Sequence, residues 1–312
     1  MSFSNDVRNE LAREIGEKDC CQKAELSALF MSSGNLSLKD DKYNLSLTLD
    51  NAATARKVFK MLKNVYGLQS TVEVATRRFF RKNRYYIVSA EIDANDFPSL
   101  APSINLNRQG GISSRINWAL IGKSCCKRAY LRGLFLSRGF INRPEGSYHL
   151  EVICNDSKMA GDIKKLMSLY ELPAGIVERK NNLVIYLKEG EKIVDFLRLI
   201  GANKALLDFE NARILKSVRN NVNRQVNCET ANLAKTVDAS LRQVELIKQY
   251  VETSGWEGFP GNLRELAILR VEYPDYSLKE LGAMLEPPLT KSGAAYRMRK
   301  LESMLEQAAI EQ

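Results

Sequence analysis

The strongest constraint in this 312-residue chain is that part of it is written twice. Asp19–Leu36, DCCQKAELSALFMSSGNL, lies over Ser124–Ile141, SCCKRAYLRGLFLSRGFI, without a gap at an offset of 105 residues. Cys20/Cys125, Cys21/Cys126, Ala24/Ala129, Leu26/Leu131, Leu29/Leu134, Phe30/Phe135, Ser32/Ser137 and Gly34/Gly139 are identical pairs. The likeness runs on through Tyr43-Asn44-Leu45 and Tyr148-His149-Leu150, both followed by alternating apolar residues that read as strands. Val58, Met61 and Leu62 then face Ile163, Leu166 and Met167 on second helices. Each half therefore reads helix, strand, strand, helix, strand, strand, helix, and a duplication of this kind implies two half-domains about an approximate two-fold axis.

The repeated helix suggests how the halves meet. Ala28 and Ser32, like Gly133 and Ser137, place small residues four apart on one face, so two backbones can approach closely. Gly34 and Gly139 read as left-handed caps that end these helices. A duplicated helix written L-x-G-L-x-x-x-x-G and followed by a β-hairpin resembles the LAGLIDADG homing-endonuclease fold. In that family an acid just before the last Gly of each helix holds the metal ions that cleave DNA. Here those positions are Ser33 and Arg138. A hydroxyl and a cation do not form a Mg²⁺ site, and Asp40 and Asp41 lie too far along the chain to substitute.

A second constraint sits near the carboxyl end, in Ser277–Leu301. Ser277 and Glu280 have the spacing of a capping box. Leu278, Leu281, Met284 and Leu285 follow at helical spacing, and Pro287-Pro288 stop the helix. Thr290 or Ser292 can start another helix, with Ala295, Met298, Leu301 and Leu305 as its buried side. Ser292, Gly293, Tyr296 and Lys300 then point outward, flanked by Arg297 and Arg299, and no acid occurs from Pro287 to Leu301. A capped helix, a turn and a basic second helix are what a helix-turn-helix offers to the major groove.

Between these parts, Glu210–Thr236 is rich in Arg and Asn, with Arg213, Lys216, Arg219 and Arg224 at nearly helical spacing, and reads as a basic connecting helix or linker. A helix from about Glu229 to Thr253 follows, with Leu233, Val237, Leu241, Val244 and Val251 on one side. A further helix, Leu263 to Glu272, ends before Pro274. The expected class is α+β: a duplicated αββαββα lobe over 1–208, with repeats at about 19–108 and 124–207, a basic linker at 209–228, and an all-α helix-turn-helix domain at 229–312.

Composition closes off several alternatives. Charged residues at 27% and hydrophobic ones at 45% are those of a folded globular protein rather than a disordered one. From Gln225 onward there are 10 Lys and Arg against 13 Asp and Glu, so the net charge of +9 resides in the earlier part of the chain. The long-range attraction for a polyanion is therefore expected there. Six cysteines in so long a chain do not make a disulfide framework, and the charged amphipathic N-terminus, opening its helix at Ser4, is no signal peptide. A reducing cytoplasm is the expected compartment, without a membrane span. Cys20-Cys21 and Cys125-Cys126 read as small apolar residues at helix starts: adjacent cysteines alternate in direction, and structural zinc sites prefer a spacing of two to four residues. No metal or cofactor is expected. His149 is the single histidine, and no phosphate-binding glycine loop occurs. Arg77–Tyr86, RRFFRKNRYY, could set Arg77, Arg78, Arg81, Lys82 and Arg84 on strands against nucleic acid, or simply leave those charges in water.

SCCKRAYLRGLFLSRGFI, IGANKALLDFE, NNVNRQVNCETAN and DYSLKELGAMLEPPLTKSGAAYRMRKL together resemble the WhiA family of sporulation and cell-division regulators, over nearly the whole length. That resemblance implies a degenerate homing-endonuclease domain tethered to a helix-turn-helix similar to region 4 of sigma factors. It implies a non-enzymatic, sequence-selective protein of double-stranded DNA, acting in transcription or in cell division and chromosome segregation. Ser292 and Tyr296 are then the base-reading candidates, with Arg297 on a base or a phosphate. Ser277, Lys279, Lys291, Gly293, Arg299 and Lys300 complete the contact surface, and Arg219 and Arg224 add secondary contacts. The rival readings are a Mg²⁺-dependent endonuclease, and a scaffold that docks RNA polymerase or another regulator through the first lobe.

Overall fold

The computed structural model describes residues 2–310 apart from 17, 40–41, 77–83, 102–103, 105–110 and 181. The chain divides into two units, Met1–Ser217 and Val218–Gln312. In the first, α1 (Phe3–Arg13) precedes the two repeats. The first repeat is α2 (Asp19–Ser33), β1 (Gly34–Lys39), β2 (Lys42–Leu49), α3 (Ala52–Tyr66), β3 (Ser70–Thr76), β4 (Arg84–Asp93) and α4 (Phe97–Leu100). The second is α5 (Ser124–Arg138), β5 (Gly139–Ile141), β6 (Leu150–Cys154), α6 (Ser157–Ser168), β7 (Gly175–Arg179), β8 (Asn182–Leu187) and α7 (Gly190–Ile200). Each repeat folds its strands into one antiparallel sheet, in the orders β1-β2-β4-β3 and β5-β6-β8-β7. The two orders are equivalent, as the duplication requires. Period-two burial of Leu45, Leu47 and Leu49, and of Leu150, Val152 and Cys154, turns one face of each sheet inward onto the helices.

The axis of this unit is the pair α2 and α5. Gly133 lets them touch: a Cβ there would strike the Glu25 carbonyl oxygen and come within 2.9 Å of Ala28 Cβ. Four residues on, Ser32 and Ser137 share a buried hydrogen bond of 2.5 Å, while each hydroxyl also meets a carbonyl of its own helix. Gly34 and Gly139 correct the sequence reading, because neither is left-handed; φ is −81° and −78°. They are glycines because a Cβ would collide with Phe30 at Gly34 and with Phe135 at Gly139. Close approach, not backbone sign, selects them.

Beside this axis lies a buried charge cluster. Glu25 meets Lys57 Nζ at 2.5 Å and Arg132 Nε at 3.1 Å, and Lys57 also donates to the Leu11 carbonyl. Burial lowers the Lys57 pKa, opposed by Glu25. The N-terminal helix is capped by Ser2 rather than Ser4. Ser4 is buried and bonds both the N–H and the C=O of Ile141, which ties α1 to the second repeat.

The helix α8 (Asn203–Ser254) runs without interruption from the first unit into the second. The break expected at Glu229 is absent, because no Gly or Pro occurs between Gly201 and Gly255. Its first turn is capped by Glu10, whose carboxylate accepts from the N–H groups of Lys204 and Ala205. The expected buried side also shifts: Leu233, Val237 and Leu241 are exposed, whereas Ser240, Gln243 and Ile247 are buried. The second unit is completed by a 3₁₀ turn (Trp256–Gly258), α9 (Gly261–Glu272), α10 (Leu278–Met284) and α11 (Lys291–Ile310). Ile247, Phe259, Leu263, Leu266, Leu281, Met298 and Leu301 share one apolar core.

Candidate nucleic-acid interface

The pair α10 and α11 is assembled by local chemistry. Ser277 N–H donates to the Glu280 carboxylate at 2.8 Å while Glu280 N–H donates to the Ser277 hydroxyl, so the capping box forms. The stretch leading into it is held by Arg270, a buried guanidinium that donates to Ser240 Oγ and to the carbonyls of Pro274 and Tyr276. Its desolvation lowers the pKa, opposed by Glu302. The helices then close on Gly282: a Cβ there would lie 2.7 Å from the Leu289 carbonyl oxygen and 3.1 Å from Ala294 Cβ. Leu289 N–H donates back to the Gly282 carbonyl at 2.7 Å. Ala294, Met298, Leu301 and Leu305 form the buried side of α11. Ala294 therefore replaces the expected Ala295, a shift of one position set by contact with Gly282.

That phase leaves Lys291, Ser292, Tyr296, Arg299 and Lys300 exposed on α11, and Lys279 exposed on α10. Tyr296 is 65% exposed, a large aromatic ring displayed rather than packed. The Ser277 hydroxyl is committed to the cap, so it serves this surface by orienting α10. Gly293 sits in the first turn, where its N–H donates to Thr290 Oγ1. A Cβ at Gly293 would meet only ordinary contacts from 3.5 Å outward, so internal packing does not demand glycine there. Arg297 is half-buried and its Nη1 donates to the Asn262 carbonyl at 3.4 Å, which ties α11 to α9. Arg299 folds back onto Ala295 O of its own helix.

In the first unit, the positions that carry acids in the endonuclease pattern meet each other. Arg138 Nε donates to Ser33 Oγ and to Ser32 O, both at 3.2 Å. A guanidinium thus lies where anionic oxygens would gather a divalent cation. Asp40 and Asp41, with Arg77, Arg78, Arg81 and Lys82, lie outside the described residues. Arg84 is exposed at the start of β4, and Arg219 and Arg224 are exposed on α8. On the described outward face of the first sheet, Lys42 is shared between Glu91 and Asp93 at 3.9 and 3.8 Å. In the second sheet Glu151 is flanked by His149 at 3.0 Å and Arg179 at 3.9 Å.

Three family models match successive parts of the chain: the WhiA N-terminal LAGLIDADG-like domain over 19–99, the WhiA LAGLIDADG-like domain over 127–219 and the WhiA C-terminal HTH domain over 222–305. The chain belongs to the WhiA family. It is 57% identical to a "Probable cell division protein WhiA" of Syntrophomonas wolfei over 310 residues, covering 98% of each chain. A protein of the same description from Heliobacterium modesticaldum is 46% identical over 307 residues, covering 98% of this chain and 96% of its own. The crystal structure of full-length WhiA from Thermatoga maritima superposes with a TM-score of 0.61 at 25% identity, covering 98% of this chain and 99% of the other.

Two features of this WhiA chain escaped the sequence reading. Arg270 was one, since nothing in the sequence separates a buried arginine from a solvated one. The other corrects the expectation that adjacent cysteines diverge: the sulfurs of Cys20, Cys21, Cys125 and Cys126 all lie within 4.8 Å of one another. Each pair opens its helix, and the relation between α2 and α5 brings both openings together. Burial pushes the Cys21 thiol up to about 11 and that of Cys126 up to about 12, whereas a hydrogen bond from Cys21 holds Cys125 below its ordinary value. Among the described residues these four are the one group of three or more ligating side chains close enough to share an ion.

Proposed function

We propose that this protein binds double-stranded DNA through α11, in a sequence-selective way, and that its duplicated lobe serves as a non-cleaving scaffold. The observation carrying this reading is the exposed, acid-free face at the start of α11, whose opposite side is anchored in the core. Ser292 and Tyr296 lie within reach of base edges when the amino end of α11 enters the major groove. Lys279, Lys291, Arg299 and Lys300 neutralise phosphates, and Arg297 fixes the helix and adds charge. The Arg138–Ser33 contact supports the absence of metal-dependent cleavage. The relatives' description as cell division proteins supports a role in division, exercised through transcription or chromosome segregation, in the cytoplasm and at the nucleoid.

A mobility-shift assay against fragmented genomic DNA tests the reading. Wild-type protein is expected to select a subset of fragments, and the double variant Arg297→Ala/Lys300→Ala to lose them. Unchanged binding by that variant sinks the assignment of α11. Supercoiled plasmid should remain intact with or without EDTA; Mg²⁺-dependent nicking would instead favour the endonuclease reading.

A further inference from the structure

The amino ends of α2 and α5 lie side by side and bring four cysteine sulfurs within 4.8 Å of one another. We propose that Cys20, Cys21, Cys125 and Cys126 are a tetrathiolate site for one soft divalent metal ion of the zinc class, joining the two repeats at the opposite end of the helix pair from Ser32 and Ser137. A zinc ion bound by four thiolates at about 2.3 Å sets its sulfurs roughly 3.8 Å apart. Cys125 and Cys126 already place theirs 3.9 Å apart, and all four lie within 4.8 Å of one another. Convergence on one ion therefore needs only small side-chain rotations. The set is too close for an iron–sulfur cube, whose own sulfides must fit inside the cysteine shell. Sulfur donors also reject the hard Mg²⁺ and Ca²⁺ ions.

The surroundings suit a cluster of thiolates. Neither Lys18 nor Lys123, the residues that precede these helices, caps its helix with a side chain, so both positive helix ends face the cysteines. Lys18, Arg128 and Arg132 line an adjoining cavity of about 360 Å³, which Cys21 and Cys125 also border. The cavity gives the ion a path from solvent, and there Lys18 and Arg128 outnumber Glu14 against the net negative charge of a metal tetrathiolate, Arg132 being already paired with Glu25. Cys21 and Cys126 are buried and Cys20 and Cys125 half-buried, so the bound ion would be shielded on one side. Adjacent cysteines are a poor zinc motif when read along one chain. They become a four-donor set here because the duplication delivers a second pair across the axis.

The test is an anaerobic Co²⁺ titration of the reduced full-length protein, alongside elemental analysis of protein purified without chelator. The expected result is about one equivalent of tightly held metal, with the intense visible bands and near-ultraviolet sulfur-to-cobalt absorption of a tetrahedral thiolate site, displaced by Zn²⁺. Cys20→Ser/Cys125→Ser should abolish that spectrum, whereas Cys154→Ser/Cys228→Ser should keep it. Absence of the bands in reduced wild-type protein overturns the proposal, and so does their persistence in Cys20→Ser/Cys125→Ser. Metal-free protein with these cysteines paired as disulfides overturns it equally. The wild-type titration decides the matter even if the double variant does not fold.

Discussion

Two helix pairs in this molecule use one packing device for opposite ends. At α2/α5, Gly133 lies against Glu25 and Ala28; at α10/α11, Gly282 lies against Leu289 and Ala294. In both, a missing side chain lets backbone approach backbone. The first pair then closes around its polar groups, burying Ser32, Ser137 and Glu25. The second keeps only its apolar side inside and leaves Lys291, Ser292, Tyr296 and Lys300 in solvent. Close packing thus fixes where a helix lies, and the residues on its remaining arc decide whether its chemistry is structural or available to a partner.

The sharpest test of this contrast is Glu25→Ala, which strands Lys57 and Arg132 without their carboxylate. It should cost about 3–5 kcal/mol in urea unfolding. Residue 130 occupies the same place in the second repeat, where the buried Tyr130 hydroxyl donates to Met31 Sδ. Tyr130→Phe should therefore cost about 1 kcal/mol or less. Equal losses would show that the repeats are not stabilised by different means. Next in size, Gly133→Val and Gly282→Val should each cost about 1–3 kcal/mol by overpacking. Only Gly282→Val should also weaken DNA binding under conditions where the variant remains folded.

The surface side of the contrast gives smaller effects. Lys300→Ala should leave the unfolding free energy within about 0.5 kcal/mol of wild type, and so the midpoint nearly unchanged. It should also reduce the slope of log affinity against log salt by about 1. A shifted midpoint with an unchanged slope would move Lys300 from the solvent-facing arc to the structural one. Smallest is the acid dependence of the cap. Hydrogen bonds to Ser277 hold the Glu280 carboxyl below its ordinary value. Its contribution is therefore complete above the unfolded carboxyl pKa of about 4.3 and lost as pH falls through the lower folded value. Thermal midpoints measured downward from pH 6 should fall more steeply for wild type than for Glu280→Gln.

Much of this architecture was legible from spacing alone. The duplication fixed the strand and helix order of both halves, because identical residues at a constant offset demand equivalent positions. The capping box and the exposed arc of α11 also followed from period and charge. What eluded the sequence depended on distance across an axis or on which of two reasons selects a residue. Gly34 and Gly139 looked like caps, although crowding by Phe30 and Phe135 explains them. Leu233, Val237 and Leu241 have helical spacing, but spacing does not say whether another element covers them. The cysteine pairs converge only once two helices separated by 105 positions are set side by side.

The contact between Arg138 and Ser33 also governs what a single acidic substitution could do there. Changing Ser33→Asp alone would hand the new carboxylate to the waiting guanidinium, and the resulting ion pair would neutralise the very charge needed to attract magnesium. A divalent-cation site at this end of the helix pair therefore requires both symmetry-related positions, 33 and 138, to become acidic together.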